Sequence, residues 1–434
     1  MHNYILLMKS IFAASLFLLF GVQSSLSEQL SANGPETPSI PGWNALVEEL
    51  EGLPAILLNK LPESMRNDPR IQQEVGRLIL QALTVSSIEA LGSDGNYPVF
   101  LPGIGQLLNV GQPNADTLYK TASITPGGVY RVRGNKGSLE IAVLGQMGPT
   151  PSDSENGGSQ PGPARTHLDL DTLSTDEDGN FDLLLSPTRP ENHSGDWWKT
   201  NPSSFRLMLR QVSSDWEKQK DPEISIERID KPAEKPRPTA RELEQRLHRL
   251  PQATAFMATL FIDKVERLRG QGYVNELKVF DVSQMGGLEG QFYYEGPYEL
   301  TATEALIIEA KHPEKCRYRS ILLTNEIYQT TDWYNNHSSL NASQATLDSD
   351  GVLRVVVSEE DPGVPNWLDT AGYPRGLVQG RWTHCDSQPV PTVKKVQVRD
   401  VRKHLPLETP SMSPEERDST IRERRAAYQK RRHW

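Results

Sequence analysis

Three stretches of this chain carry residue types that could hold or turn over a polar molecule. The first is Gln112-Pro113-Asn114-Ala115-Asp116-Thr117-Leu118-Tyr119. Asn and Asp beside Pro make an Asx-type turn, because their short side chains hydrogen-bond to nearby backbone amides. That use is structural. A functional use is also open, in which Asn114, Asp116 and Tyr119 converge with Arg131 and Arg133 of the next strand to hold a polar ligand or a carboxylate. The second stretch runs from Asn325 to Asn341 and mixes aromatics with amides: Asn325, Tyr328, Trp333, Tyr334, His337 and Asn341. Rings stack on a sugar and amides bond its hydroxyls, although the same mixture suits a loop packed over a sheet end. The third, Asp361-Pro-Gly-Val-Pro-Asn366-Trp367-Leu-Asp369, sets two carboxylates close together, as a glycosidase pair would require.

None of these completes a catalytic set. His337 is a lone imidazole whose serines, Ser338 and Ser339, are sequence neighbours, whereas a triad needs groups converging from separate elements. The histidines show no paired spacing, so neither a metal nor a cofactor is expected. No catalytic residue is assigned. The candidates are ligand-binding ones: Asn114, Asp116, Tyr119, Arg131, Arg133, Asn325, Trp333, His337, Asn341, Asp361, Asn366, Trp367, Asp369 and Arg381.

The elements that must position these residues come in two similar passages. The first runs Asp176-Glu-Asp178-Gly179, then Phe181 to Ser186, Trp197-Trp198, Arg210 and Asp215; the second runs Asp348-Ser-Asp350-Gly351, then Leu353 to Ser358, Trp367, Arg381 and Asp386. Asp-x-Asp-Gly is turn chemistry, and the aliphatic run after it is strand material. Each passage reads as a β-hairpin with a long Pro-containing excursion. Matching offsets imply one supersecondary unit used twice, with a Pro/Asn/Trp loop in each copy, which favours architecture over catalysis at Asp361.

The rest of the chain supplies frames for these passages. Residues 1–27 read as a signal peptide: Lys9, a short apolar run from Ile11 to Val22, then small residues. No cysteine lies near the cleavage candidates, and no later segment approaches membrane-spanning length, so the expected product is exported, periplasmic or extracellular, without stable membrane insertion. The two cysteines, Cys316 and Cys385, suit one disulfide there. Residues 28–95 form an N-terminal helical region, with helices at Trp43 to Leu53 and Asp68 to Leu91. A first β module covers 96–230, interrupted by a polar loop from Gly148 to Arg165. Residues 231–238 (Lys-Pro-Ala-Glu-Lys-Pro-Arg-Pro) make an extended linker. A helical connector covers 239–270, capped by Thr239 with Glu242, broken or kinked at Pro251 and stopped at Gly270. A second β module covers 271–405, and a basic helix fills 413–434. That helix has few apolar residues, so a solvated helix, or one lying across an acidic surface, is expected, and its deletion should cost little stability. The fold class is mainly β with flanking helices: two antiparallel β-sandwich, jelly-roll-like modules related by an internal repeat. A net charge of -10 argues against nucleic acid as a partner.

On these same residues the chain resembles a bacterial family known only as domain of unknown function 1214, often found with a companion numbered 1254. The resemblance is carried by Pro113 to Tyr119 with Gly128 to Gly134, by Asp176 to Asp215, and by Asn325 through Asp386, above all Trp333-Tyr334, His337 to Asn341, Asp361 to Gly372 and Gly380-Arg381-Trp382. It implies an exported, uncharacterised β-sandwich and brings no reaction with it. Ala115 departs from the Pro expected in the family turn. Three functions compete: binding of a polar small molecule or saccharide, a hydrolase or lyase using Asp361, Asp369, His337 or Asp116, and an envelope scaffold or interaction protein.

Overall fold

Asp68 accepts a hydrogen bond from the Arg70 amide, and Pro69 takes the first helical position, so the free amides of a helix start are answered there. In the computed structural model, which describes residues 39–148, 164–281 and 287–433, this is the third of three N-terminal helices: α1 (Trp43–Leu58), α2 (Glu63–Arg66) and α3 (Pro69–Gly92). Of the compact unit Met1–Ala45, only residues 39–45 are described, a turn leading into α1; Leu46–Trp434 form the second unit. The signal-peptide residues and most of the Gly148–Arg165 loop lie outside the described residues. Ile71, Val75, Leu78, Ala82 and Val85 recur on one face of α3 and are buried. They pack with Leu53 and Leu57 of α1 and with Ala258 of α4 (Ala240–Thr259). At 24 residues, α3 is long and apolar enough to cross a bilayer by length and composition, which corrects the expectation that no segment after the leader comes near that length. Pro251 does not break α4 either: its burial with Thr254 and Ala258 holds the helix through the missing donor, and the break falls after Thr259. The helix α5 (Lys264–Gly270) follows.

The fold is mainly β, in two pairs of sheets that form two sandwich-like modules. The first module holds β1 (Leu101–Pro102), β2 (Thr117–Ser123), β3 (Tyr130–Asn135), β4 (Ile141–Met147), β5 (Ala164–Asp169), β6 (Asn180–Ser186), β7 (Asp196–Lys199), β8 (Arg206–Val212) and β9 (Glu223–Arg228). Its sheets run β1-β2-β8-β4-β5 and β7-β6-β3-β9. The second holds β10 (Lys278–Asp281), β11 (Gln291–Glu299), β12 (Glu304–Lys311), β13 (Cys316–Thr324), β14 (Ser339–Asn341), β15 (Val352–Ser358), β16 (Trp367–Asp369), β17 (Arg375–Cys385) and β18 (Thr392–Gln397). Its sheets run β10-β11-β17-β13-β14 and β16-β15-β12-β18, so both modules share one strand order.

Period-2 alternation builds each core. Phe181, Leu183 and Leu185 of β6 face Leu207 and Leu209 of β8, and Leu353, Val355 and Val357 of β15 join Val378 and Trp382 of β17. Gly179 and Gly351 take φ of 82° and 75° in the turns before β6 and β15, where a side chain would be strained. The hairpin expectation is corrected. β7 lies parallel to β6 and β16 parallel to β15, because the Pro-containing excursion carries the Trp strand back in the same direction. Each return is pinned alike: Trp197 Nε1 donates to Ser186 Oγ at 2.8 Å, and Trp367 Nε1 to Ser358 Oγ at 2.9 Å. The Arg strands β8 and β17 belong to the other sheet of each module. Cys316 and Cys385 stand opposite one another on β13 and β17 and are bonded.

The last helix, α6 (Pro414–Gln429), opens with a Ser413/Glu416 capping box. It is not a solvated helix. Arg417, Arg424, Tyr428 and Arg431 are buried, because the long arginine stems cover apolar surface that a count of apolar residues overlooks.

Candidate functional site

The two five-stranded sheets turn their outer faces toward each other. Ile141, Val143 and Val212 of the first module form a cluster there with Leu288 and Tyr318 of the second. Beside it lies a cavity of about 180 Å³. Cross-strand register decides what reaches it: Tyr119 of β2 stands opposite Arg210 of β8, and Tyr293 of β11 opposite Arg381 of β17. All four line the cavity, with Gln112 and Asn114 from the Pro113 turn and with Phe261, Lys264 and Tyr328 at its wall.

Arg381 is 2% exposed. Its Nη2 donates to Gln112 Oε1 at 3.3 Å, and its guanidinium sits 4.8 Å from the centre of the Tyr293 ring. Among the described residues its Nη1 meets no hydrogen-bond partner, nor do Gln112 Nε2 and Asn114 Oδ1, and all three atoms are sealed from solvent. Burial works against the Arg381 charge, but the Tyr293, Tyr119 and Tyr318 phenols outweigh it and raise the pKa. Burial lowers that of Arg210 and raises that of the Tyr119 phenol. At the wall, Lys264 pairs with the fully buried Glu295 at 2.8 Å, and Gln379 Nε2 donates to the same carboxylate at 2.9 Å. Among the described lining residues there is no Asp or Glu.

The backbone is unusual at this place. Among the described non-glycine residues, six have positive φ, and three of them line the cavity: Gln112 at 59°, Phe261 at 146° and Tyr328 at 66°. Such conformations cost about 1–3 kcal/mol each and persist where surrounding structure imposes them, often at ligand sites.

Behind the cavity, Asp116 is buried and ties the modules together. Its carboxylate accepts from Trp216 Nε1 at 2.8 Å, from Asn341 Nδ2 at 2.8 Å and from the Tyr318 hydroxyl at 2.6 Å. Burial pushes its pKa up against the pull of these donors. Asn114 Nδ2 donates to Tyr318 Oη and to Thr117 Oγ1, both at 2.9 Å.

The sequence candidates therefore scatter. Asn114, Tyr119 and Arg381 meet at the cavity; Asp116 and Asn341 stand behind it. Arg131 and Arg133 do not converge with them, because β3 lies in the four-stranded sheet and the two side chains pair with Asp182 and Glu227 in solvent. Asn325 lines a separate cavity of about 200 Å³ with Gln81, Gln106, Asn109, Gln329 and Thr331. Trp333 is fully buried against Tyr428. His337 is buried, bonded to the Trp367 carbonyl and stacked on that indole, and burial holds its pKa well below the usual value. Asp361 pairs with Arg417 at 2.9 Å, and Arg417 also covers the Trp367 ring. Asn366 bonds the backbone of Thr346 and Arg354. Asp369 accepts from the Ala371 amide at 2.7 Å, in a turn where burial raises its pKa. These acidic residues, His337 and Asp116 thus do not share a pocket. The sequence reading missed Gln112, Arg210, Lys264, Tyr293 and Glu295 as site residues. Only Arg210, equivalent in the paired passages to Arg381, and Gln112, inside the first stretch, left a signal that could have found them.

Residues 157–215 match the model of a family described as "Protein of unknown function (DUF1214)", a segment that holds β6 to β8 and Arg210. The resemblance to that family is shown over this segment. A crystal structure of an uncharacterised protein from Burkholderia cenocepacia is similar, with a TM-score of 0.74 and 25% identity over 82% of this chain and 97% of that one. The VPA0106 protein from Vibrio parahaemolyticus covers 75% of this chain and 99% of its own at 11% identity and a TM-score of 0.43. No curated protein matches the chain.

Proposed function

We propose that this protein binds a small polar molecule bearing a carboxylate, in the cavity between its two five-stranded sheets, and does not turn it over. The observation that carries this reading is the buried Arg381 cation on the wall of a cavity whose described lining residues include no Asp or Glu. A guanidinium that is 2% exposed, on a residue that lines a cavity, sits at a cost unless acceptors meet it. A carboxylate in the cavity pairs with such a guanidinium through charge-assisted bonds. Three strained residues at the same walls support a ligand site over a packing defect.

The test is calorimetric titration with acetate, propionate and lactate, on the wild type and on Arg381→Gln. Binding by the wild type and its loss in the variant is the expected result. Wild-type protein that takes up none of the three overturns the reading.

A second reading, saccharide binding, is favoured by the amide-lined cavity at Asn325, where the buried Thr331 Oγ1 has no partner among the described residues. Glycan-array binding that Gln81→Ala abolishes would support it. As part of the same proposal we place the protein outside the cytoplasm. The apolar run from Ile11 to Val22 and the bonded Cys316–Cys385 pair support that placement. We also read the two modules as copies of one unit, on the strength of their common strand order and equivalent Trp–Ser pins.

A further inference from the structure

We infer that the ligand of this cavity is an aromatic carboxylic acid of a single ring, whose carboxylate pairs with Arg381 while its ring takes the apolar wall between the two sheets. The inference rests on the carboxylate reading above and adds the body of the molecule. It follows from which side chains strand alternation turns toward the cavity.

Leu207 and Leu209 of β8 belong to the first core, so Met208, Arg210 and Val212 leave that strand on its other face. Ala142 and Leu144 of β4 are core residues too, which sends Met147 to the same outer face. In the second module, Tyr294 and Tyr298 of β11 and Val378 and Trp382 of β17 lie in the core. Tyr293 and Arg381, paired across those strands, therefore emerge on the face turned toward the first module. All of these outward residues line the cavity. Val212 also belongs, with Leu288, to the apolar cluster that joins the modules, so the cavity wall runs on into packed apolar side chains. Aromatic residues from four separate segments complete it: Tyr119, Phe261, Tyr293 and Tyr328.

The Arg381 cation thus comes from one sheet, and Met208, Val212 and Met147 face it from the other. A short acid satisfies the cation and leaves the apolar wall against water, whereas apolar mass on the same molecule is drawn onto that wall. A ring suits the wall better than a chain. Aromatic side chains pair with other rings edge to face or offset. Arg210 stands between Met208 and Val212 on the outer face of β8, and a guanidinium plane is itself a stacking surface for a ring. Size agrees: an apolar cavity of roughly 150 Å³ takes one benzene. This cavity, at about 180 Å³, adds room for a carboxylate. On this arrangement Met208 is a specificity-determining residue, because a bulkier side chain there fills the space that the ring needs.

The experiment is calorimetric titration with benzoate, with acetate (no ring), with cyclohexanecarboxylate (a saturated ring) and with benzyl alcohol (a ring without charge). The wild type binds benzoate about tenfold or more tightly than acetate. It prefers benzoate to cyclohexanecarboxylate by about threefold, and to benzyl alcohol by about tenfold or more. Met208→Trp, checked by its thermal midpoint, weakens benzoate binding about tenfold or more, and Met208→Phe reads the same effect should the larger ring prevent folding. Acetate or cyclohexanecarboxylate binding as tightly as benzoate overturns the aromatic inference and leaves the carboxylate reading standing. Benzyl alcohol binding as tightly as benzoate overturns the carboxylate reading. No binding of any of these acids overturns both. Benzoate affinity unchanged in the folded Met208 variants overturns the placement of the ring.

Discussion

Deleting Arg422 to Trp434 should unfold at least the first module, although the basic, apolar-poor sequence of that segment implies a dispensable tail. Arg431 and Asp221 form an ion pair at 2.6 Å with side chains 2% and 3% exposed. Arg431 also donates to the backbone carbonyls of Asp116 at 2.7 Å and Gln211 at 2.9 Å, so its donors are well used. Tyr428 is 3% exposed and stacks on Tyr334 with ring centres 4.9 Å apart. Arg424, whose pKa burial brings down to about 10, donates to the Trp333 carbonyl at 2.8 Å and lies over Trp216. Truncation strands the buried Asp221 carboxylate, at about 3–5 kcal/mol. Losing the Tyr428 ring from a packed site adds about 3–5 kcal/mol. Together these approach the whole stability of an ordinary domain, about 5–15 kcal/mol. Urea unfolding followed by tryptophan fluorescence and by circular dichroism measures the loss. A graded companion is Asp221→Ala, expected to cost about 3–5 kcal/mol, beside the double variant Asp221→Leu/Arg431→Met, which removes both charges and should cost much less. A truncated protein that unfolds cooperatively within about 2 kcal/mol of the wild type would refute the reasoning.

Three further outcomes are expected. Replacing Cys316 and Cys385 by Ser should lower stability by up to about 4 kcal/mol in the chain-entropy model, since the bond closes a separation of 69 residues; thiol titration of the denatured, unreduced wild type should find no free thiol. Burial, helped by Arg210 nearby, brings the folded pKa of His167 down to about 4, so the unfolded chain binds a proton first and stability falls as pH drops from about 6.5 to 4. After discounting for partial exposure that loss is about 2 kcal/mol, and His167→Leu should flatten this part of the pH–stability curve measured by urea unfolding. Ser413→Ala should cost about 1 kcal/mol, because its hydroxyl accepts the Glu416 amide at the start of α6; a thermal midpoint equal to that of the wild type would show that tertiary packing alone holds that end.

What was legible in the sequence was what local chemistry decides. Asp68 with Pro69, Thr239 with Glu242 and Ser413 with Glu416 each announce a helix start, and each helix starts there. The Asp-x-Asp-Gly turns and the alternating strands after them likewise write their conformation into a few neighbouring residues. What was not legible depends on which sheet a strand joins. Arg131 and Arg133 follow the Pro113 turn in sequence, yet β3 crosses to the four-stranded sheet while Arg210 and Arg381, far along the chain, arrive opposite Tyr119 and Tyr293. A parallel return hides for the same reason: the Trp197 and Trp367 strands carry no local mark of direction, and only the pins to Ser186 and Ser358 reveal it. The terminal helix misled by composition. Its arginines count as polar, but three of them are buried along their stems with partners more than 50 positions away in sequence, from Asp361 to Trp333 and Asp221. The same holds at the cavity, where Asn114 is bound by the turn chemistry read from sequence at Thr117 and also by Tyr318 from the other module. One amide group, Asn114 Nδ2, therefore serves both the local turn and the joint between the modules, and only the first of these is written in neighbouring residues.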